Sequence, residues 1–299
     1  MNPRQACALL PAEPGVYRFR DARGRVCYLG RATNLRSRTL SYWGGLVDRP
    51  HLRRMTGQIA AVEALVCASV HEAAWLERNL LERSLPRWNR VRGGAEIPAW
   101  LVLDPTPERP ELRLSIAPDA NLLSFGPYLG VERARLARGG LLRVWPVQLT
   151  GRHPDAADTT MAEARGVSVA DREAFAAGIT GVLSGDPSAL ATHAAAMLAC
   201  RERAQEMLAF ETAQLIQEEL VAVTVLAAPQ RVTGCRPHDL IVNGWADGVL
   251  LTLSATAGRL DRWITRPASA DTGGRLAAAT PPEWQEFAQL NAELAARLR

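Results

Sequence analysis

Residues 15–30 read GVYRFRDARGRVCYLG, two short apolar runs around a polar turn. Residues 15–20 and 25–31 alternate and carry β-formers, and between them Asp21-Ala-Arg-Gly24 supplies turn chemistry, with Gly24 where a positive φ is needed. The pattern predicts a β-hairpin. Outward from it, Thr33-Asn34 precede a helical stretch, LRSRTLSYW (35–43), and a second helical stretch, HLRRMTGQIA, follows Pro50. An apolar run, VEALVCAS (62–69), reads as a strand. Ser69-x-x-Glu72 has the form of a capping box that opens a third helix, ending near Leu85 before Pro86. Two strands, two helices, a strand and a helix within ninety residues predict a small α+β domain.

Farther along, AWLVLD, ELRLSIA and LLSFGPYLG predict a strand-rich connector. Residues 160–225 turn helical, with Asp186 as an N-cap and Pro187 at the first helical position. Leu190, Ala194, Met197, Ala204 and Leu208 mark one face, and Phe210, Ala213 and Ile216 continue it after a break, as an αα-hairpin. Residues 238–266 return to strand alternation, 266–280 read as a Pro/Ala/Gly-rich linker, and 281–299 as a last helix. The expected architecture is α+β: a small domain at 1–95 with a three-stranded antiparallel sheet flanked by helices, a connector at 96–155, a helical hairpin region at 156–228, and a small C-terminal α+β region at 229–299.

The 299 residues include 35 Arg and no Lys, against 31 acidic residues. Residues 1–100 hold 16 Arg and 8 acidic residues, the remainder 19 and 23. A first third at +8 suits a polyanion, most simply nucleic acid. No run reaches the roughly 18 apolar residues of a membrane span. The five cysteines (Cys7, Cys27, Cys67, Cys200, Cys235) are scattered without a CxxC pair, which argues against a disulfide framework or a cysteine metal site. His51, His71, His153, His193 and His238 lack zinc spacing. The expectation is a cytoplasmic protein with a reduced interior.

Glu77 falls on the third helix among Ala73, Ala74, Leu80 and Leu81. A carboxylate on an apolar face needs compensation, from a neighbouring Arg or from a bound cation; both readings stand at this level. Tyr17 and Tyr28 lie on adjacent strands, followed by Arg31, Arg38 and Tyr42, the last two sharing a helix face. A phenol is a poor base near pKa 10, and neighbouring guanidinium groups favour its phenolate.

Taken in order, GVY (15–17), YLG (28–30), Arg31, Asn34-Leu35, Arg38, Tyr42, Glu77 and Asn89 resemble the GIY-YIG nuclease signature. LPAEPGVYRFRDARGRVCYLGRATNLRSRTLSYW, LERNLLERSLPRWN and SFGPY (124–128) resemble its UvrC/Cho branch over residues 10–130, more faintly to about 225. The resemblance implies hydrolysis of one DNA phosphodiester with Mg²⁺ or Mn²⁺ on Glu77. Tyr17 would act as or orient the base and Arg38 would neutralise the phosphorane. Tyr28, Arg31 and Tyr42 would position water and phosphate, and Asn89 would brace the site. Arg31 stands where that branch usually has Lys, and Trp43 and Trp88 where it has Phe and Tyr. The branch's cysteine cluster has no counterpart between Cys67 and Cys200, so no iron–sulfur cluster is expected. MLAFETAQLIQEEL (207–220) loosely resembles the segment that contacts UvrB, and 238–263 faintly resembles vestigial strands of a second nuclease domain.

Arg18, Arg20, Arg23, Arg25 and Arg36 are the expected DNA contacts, on damaged or distorted duplex, with UvrB as partner and no membrane. The implied function is one incision 3′ to damage in nucleotide excision repair. The alternatives are a non-catalytic DNA-binding adaptor, or a nuclease working with a separate DEDD-type exonuclease or on branched DNA.

Overall fold

The computed structural model describes residues 2–44, 50–93, 96–229, 231–233 and 239–299. Cys235 and His238 lie outside them. Within them, β1 (Gly15–Arg20) and β2 (Val26–Ala32) form the hairpin, with Tyr17 opposite Gly30 and Phe19 opposite Tyr28. Asp21 holds the turn: its Oδ1 accepts from the backbone N–H of Arg23 and of Arg25, and Gly24 has φ 73°. β3 (Ala61–Val66) pairs antiparallel on the other side of β1, giving the order β2-β1-β3.

The helices around this sheet are α1 (Pro3–Ala8), α2 (Leu35–Leu40), α3 (Pro50–Thr56) and α4 (Val70–Arg83). Asn34 caps α2 by accepting from Ser37 N–H, and a 3₁₀ turn over Ser41–Trp43 continues it. Tyr17, Phe19, Leu35, Leu52, Met55 and Val62 pack into one core, with Trp43 and Trp88 against its edge.

A second sheet, order β5-β4-β6, joins β4 (Pro98–Asp104), β5 (Glu111–Ser115) and β6 (Leu123–Leu129). After it comes α5 (Val131–Val144), a helix within the stretch expected to be strand-rich connector. Gly139 and Gly140 lower its intrinsic propensity. Packing explains them, because a Cβ on Gly139 would lie 2.8 Å from Glu219 Oε1 and one on Gly140 3.2 Å from Val223. The helices α6 (Ala156–Arg165), α7 (Arg172–Leu183), α8 (Pro187–Glu206) and α9 (Phe210–Ala227) follow. As the sequence predicts, Asp186 caps α8. The predicted apolar face is shorter than expected: Leu208 sits at φ 57° in the turn between α8 and α9, and both it and Phe210 are exposed.

β7 (Leu240–Ala246), β8 (Val249–Thr256) and β9 (Arg259–Pro267) form a third antiparallel sheet. The expected linker holds a helix, α10 (Ala270–Ala278), capped by Ser269. Gly273 is there for contact, since a Cβ on it would overlap Trp245. Last comes α11 (Pro282–Arg297).

Where the sequence predicts four consecutive segments, the chain folds as two compact units. One is 96–228; the other joins 1–95 to 229–299. The return of the C-terminal segment is specific. Asn291 on α11 accepts from Val66 N–H at 2.7 Å and donates to Val66 O at 3.2 Å, so its amide extends β3 as a strand neighbour would.

Candidate active site

Tyr17 points from the central strand into the core and is fully buried. Its hydroxyl lies 2.7 Å from that of Tyr42. The ring centroids of Tyr17, Tyr28 and Tyr42 are about 6 Å apart pairwise, at 6.2, 5.9 and 6.1 Å. Gly30 makes room for this, since a Cβ there would lie 2.7 Å from Tyr17 Oη and 2.9 Å from Tyr28 Cε1. Gly15 is equally constrained, with a Cβ falling 2.2 Å from Leu65 O. Both glycines of the signature therefore have packing reasons. The Arg38 guanidinium lies 5.4 Å from the Tyr42 ring centroid.

Burial decides the protonation of Tyr17 and Tyr42. It raises the Tyr17 phenol well above its ordinary value, and the neighbouring Tyr42 and Tyr28 add to the rise; Arg38 opposes them without prevailing. Tyr42 is raised as well, by burial first and then by Tyr28. The expectation that nearby arginines favour a Tyr17 phenolate is thus reversed, because desolvation penalises the anion more than the guanidinium stabilises it.

Glu77 comes from α4. Ala73, Ala74, Leu80 and Leu81 are buried around it as the periodicity predicts, while the Glu77 side chain keeps 22% of its surface open. Arg31 Nε on β2 is 3.4 Å from Glu77 Oε2. Asn89 supports β2 from the chain beyond α4. Its Oδ1 accepts from Leu29 N–H at 2.9 Å and its Nδ2 donates to Leu29 O at 2.7 Å, next to a Trp88 N–H bond to Cys27 O. Tyr28, in the tyrosine cluster, and Arg31, beside Glu77, both come from that strand. Among the described residues, no group of three or more His, Cys, Asp and Glu gathers to hold a metal. A partly open carboxylate fits a hard cation that keeps most of its ligands as water or phosphate oxygen, the habit of Mg²⁺.

The predicted DNA contacts separate. Arg18 is 6% exposed: its Nε donates to Glu63 Oε2, and Nη1 to Trp263 O at 2.8 Å. It is an interior cation, not a surface one. Arg20 shares the same Glu63 oxygen at 2.7 Å. Arg25 pairs with Asp21 at 2.8 Å, and Arg36 donates to Leu10 O at 2.6 Å. Arg23 and Arg36 are both exposed and without an ion pair among the described residues, and of the two Arg36 is tied to Leu10 O. Glu63 and Trp263 were missed from sequence. Strand parity offers the signal for Glu63, which falls opposite Arg18 once β1 and β3 are paired; Trp263 has none, being 245 residues away. His193 is core: its Nε2 lies 3.1 Å from Gly140 O and its ring packs on Trp145.

The sheet of order β2-β1-β3, with Tyr17 and Tyr28 on adjacent strands and Glu77 on the following helix, falls within a stretch that matches a known class of domain. Residues 13–90 match the profile of the UvrC-like GIY-YIG domain, so this stretch is a UvrC-like GIY-YIG domain. The UvrABC system protein C of Mycolicibacterium vanbaalenii is 38% identical over 148 residues, 48% of this chain and 22% of that protein. Its namesake from Natronomonas pharaonis is 40% identical over 131 residues, 44% of this chain and 22% of that protein. The match thus spans about a fifth of these relatives' length (22%). The crystal structure of the GIY-YIG N-terminal endonuclease domain of UvrC from Thermotoga maritima, bound to its catalytic divalent cation magnesium, is 32% identical. It covers 29% of this chain and 94% of that domain, with a TM-score of 0.27. No helix among the described residues is long and apolar enough to cross a membrane.

Proposed function

We propose that this protein is a DNA endonuclease that makes one metal-dependent incision in damaged or distorted duplex, on the 3′ side of the lesion, with UvrB as loader. The observation that carries this reading is the meeting of Glu77 and Arg31 at 3.4 Å, on the strand that also carries Tyr28 into the tyrosine cluster. Glu77 would hold the divalent cation, Mg²⁺ or Mn²⁺. When bound, the cation supplies Lewis acidity toward the scissile phosphate.

The chain's own residues do the rest. Arg31 orients the Glu77 carboxylate. Arg38 offers fixed positive charge to the phosphate as negative charge develops on it. Tyr17, its proton held by burial, orients rather than abstracts: its hydroxyl and that of Tyr42 form a fixed pair. Tyr28, half-buried, presents its phenol at the cluster's edge to place water. Asn89 holds β2, and with it Tyr28 and Arg31, in register.

The test is a nicking assay on an end-labelled duplex carrying one bulky lesion, with Mg²⁺, with and without UvrB, beside Glu77→Ala. A single 3′ cut is expected, falling by roughly 10²–10³-fold or more in the variant while DNA binding is retained. A fully active Glu77→Ala removes the assignment. Cutting that ignores UvrB, or occurs only on forks, moves the nuclease outside excision repair. Binding without cutting of any structured DNA leaves an adaptor.

A further inference from the structure

The sheet and α4 are held together from outside as well as by their own core. Ser69, Glu72, Asn79, Glu82 and Arg83 recur along one side of α4 and its cap, and each bonds to the segment that returns from the C-terminal part of the chain. Ser69 Oγ donates to Pro229 O at 2.6 Å, and Glu72 Oε1 accepts from Arg231 N–H at 2.9 Å. Asn79 Nδ2 donates to Val232 O at 3.1 Å. Glu82 meets Arg259 at 3.3 Å and Arg83 meets Asp261 at 2.8 Å, both on β9.

Two residues beyond Asp261, the same strand reaches β1. The Trp263 ring lies 3.9 Å from the Arg18 guanidinium carbon, and its carbonyl accepts from Arg18 Nη1. Arg18 directly follows Tyr17. It is held on its other side by Glu63, a carboxylate it must share with Arg20. One short stretch of β9, residues 259–263, therefore grips the helix that carries Glu77 and the strand that carries Tyr17. The UvrC-like profile ends at residue 90 and assigns nothing to this segment.

We propose that β9 is a positioning element of the nuclease site, with Trp263 as its positioning residue. Packed on Arg18 and anchored to α4, it fixes the Tyr17 hydroxyl relative to the Glu77 carboxylate. The inference rests on the roles given to Tyr17 and Glu77 above. Trp263 acts through Arg18, so its loss acts on geometry and leaves the chemistry of both groups in place. Displacements of this kind, of about 1 Å, cost on the order of 10²-fold in rate.

The experiment uses the full chain. Single-turnover nicking is measured at saturating protein for wild type, Trp263→Ala, Trp263→Phe and Arg18→Lys. Duplex affinity is measured for each on a Glu77→Ala background. Trp263→Ala is expected to lower the saturated rate by about 10–100-fold with affinity within about twofold of wild type. Trp263→Phe, which restores a ring over Arg18, should recover most of the rate. A role confined to stability would leave the saturated rate of folded protein unchanged, and that result overturns the proposal. So does lost affinity at an unchanged rate, which would make Trp263 or Arg18 part of the DNA-binding surface.

If Trp263→Ala does not fold, Arg18→Lys decides, because it keeps the charge beside Glu63 and loses the fork that reaches Trp263 O. If wild type cuts no DNA, the nuclease reading has failed separately. Amide exchange then decides the coupling: faster exchange in both β1 and α4 of Trp263→Phe or Arg18→Lys supports it, and unchanged exchange overturns it.

Discussion

Opposite Tyr17, residue 30 has no room for a side chain. A methyl group there meets the Tyr17 hydroxyl at 2.7 Å and the Tyr28 ring at 2.9 Å, and neither ring can retreat, because both pack against Tyr42. Gly30→Ala should therefore destabilise the protein by about 1–3 kcal/mol, the usual cost of overpacking, and break the 2.7 Å Tyr17–Tyr42 contact. Denaturant unfolding reads the first effect and the nicking rate the second; an unchanged midpoint would show that the tyrosines repack freely. The identity and order of such residues were legible from the chain. Their environment was not. Tyr17 reads as a phenolate candidate when only its charged neighbours are considered, and burial reverses the sign. Arg18 reads as a DNA contact because it lies on an Arg-rich hairpin in the positively charged first third of the chain, and Trp263, from far along the chain, covers it.

At the scale of elements, α4 shows how a correct local signal can be put to a different use. Ser69 caps the helix as expected, accepting from Glu72 N–H at 3.0 Å. Glu72 does not complete the box in the usual way. Its carboxylate, fully buried, takes Ala68 N–H on one oxygen and Arg231 N–H and Nε on the other. A cap residue has become the anchor of a distant segment, which no local pattern encodes. Glu72→Ala would leave those donors without an acceptor and should cost about 3–5 kcal/mol, against about 1 kcal/mol for Ser69→Ala. Denaturation midpoints at constant slope measure both, and equal costs would mean that Glu72 is only a cap. The helices α5 and α10 were illegible for a related reason. Gly139, Gly140 and Gly273 read as breakers, whereas Glu219 and Trp245 use the space they leave.

At the scale of the whole molecule, folding sharpens the charge asymmetry read from the chain. The unit formed by 1–95 and 229–299 holds 24 Arg against 14 acidic residues, a net +10; the unit 96–228 holds 11 against 17, a net −6. Much of the positive charge in the first unit is already committed, as with Arg18, Arg20 and Arg25 against Glu63 and Asp21. Local pairing does not cancel the sum, and a +10 unit attracts a duplex over about a Debye length, roughly 8–10 Å at moderate salt. Binding should therefore fall steeply with salt, since each phosphate neutralised contributes about −0.9 to the slope of log K against log salt. The two units make the prediction local. Arg23, exposed on the hairpin turn of the positive unit, and Arg203, exposed on α8 of the negative one, are both without ion pairs among the described residues. Arg23→Glu is expected to weaken duplex binding several-fold and to flatten the salt slope by about 1. Arg203→Glu is expected to change neither, because the field around it is already repulsive to phosphate. Titrations of both variants at three salt concentrations separate the cases. Equal losses would place DNA across both units, and a flat slope for wild type would mean that the excess arginines serve the fold alone.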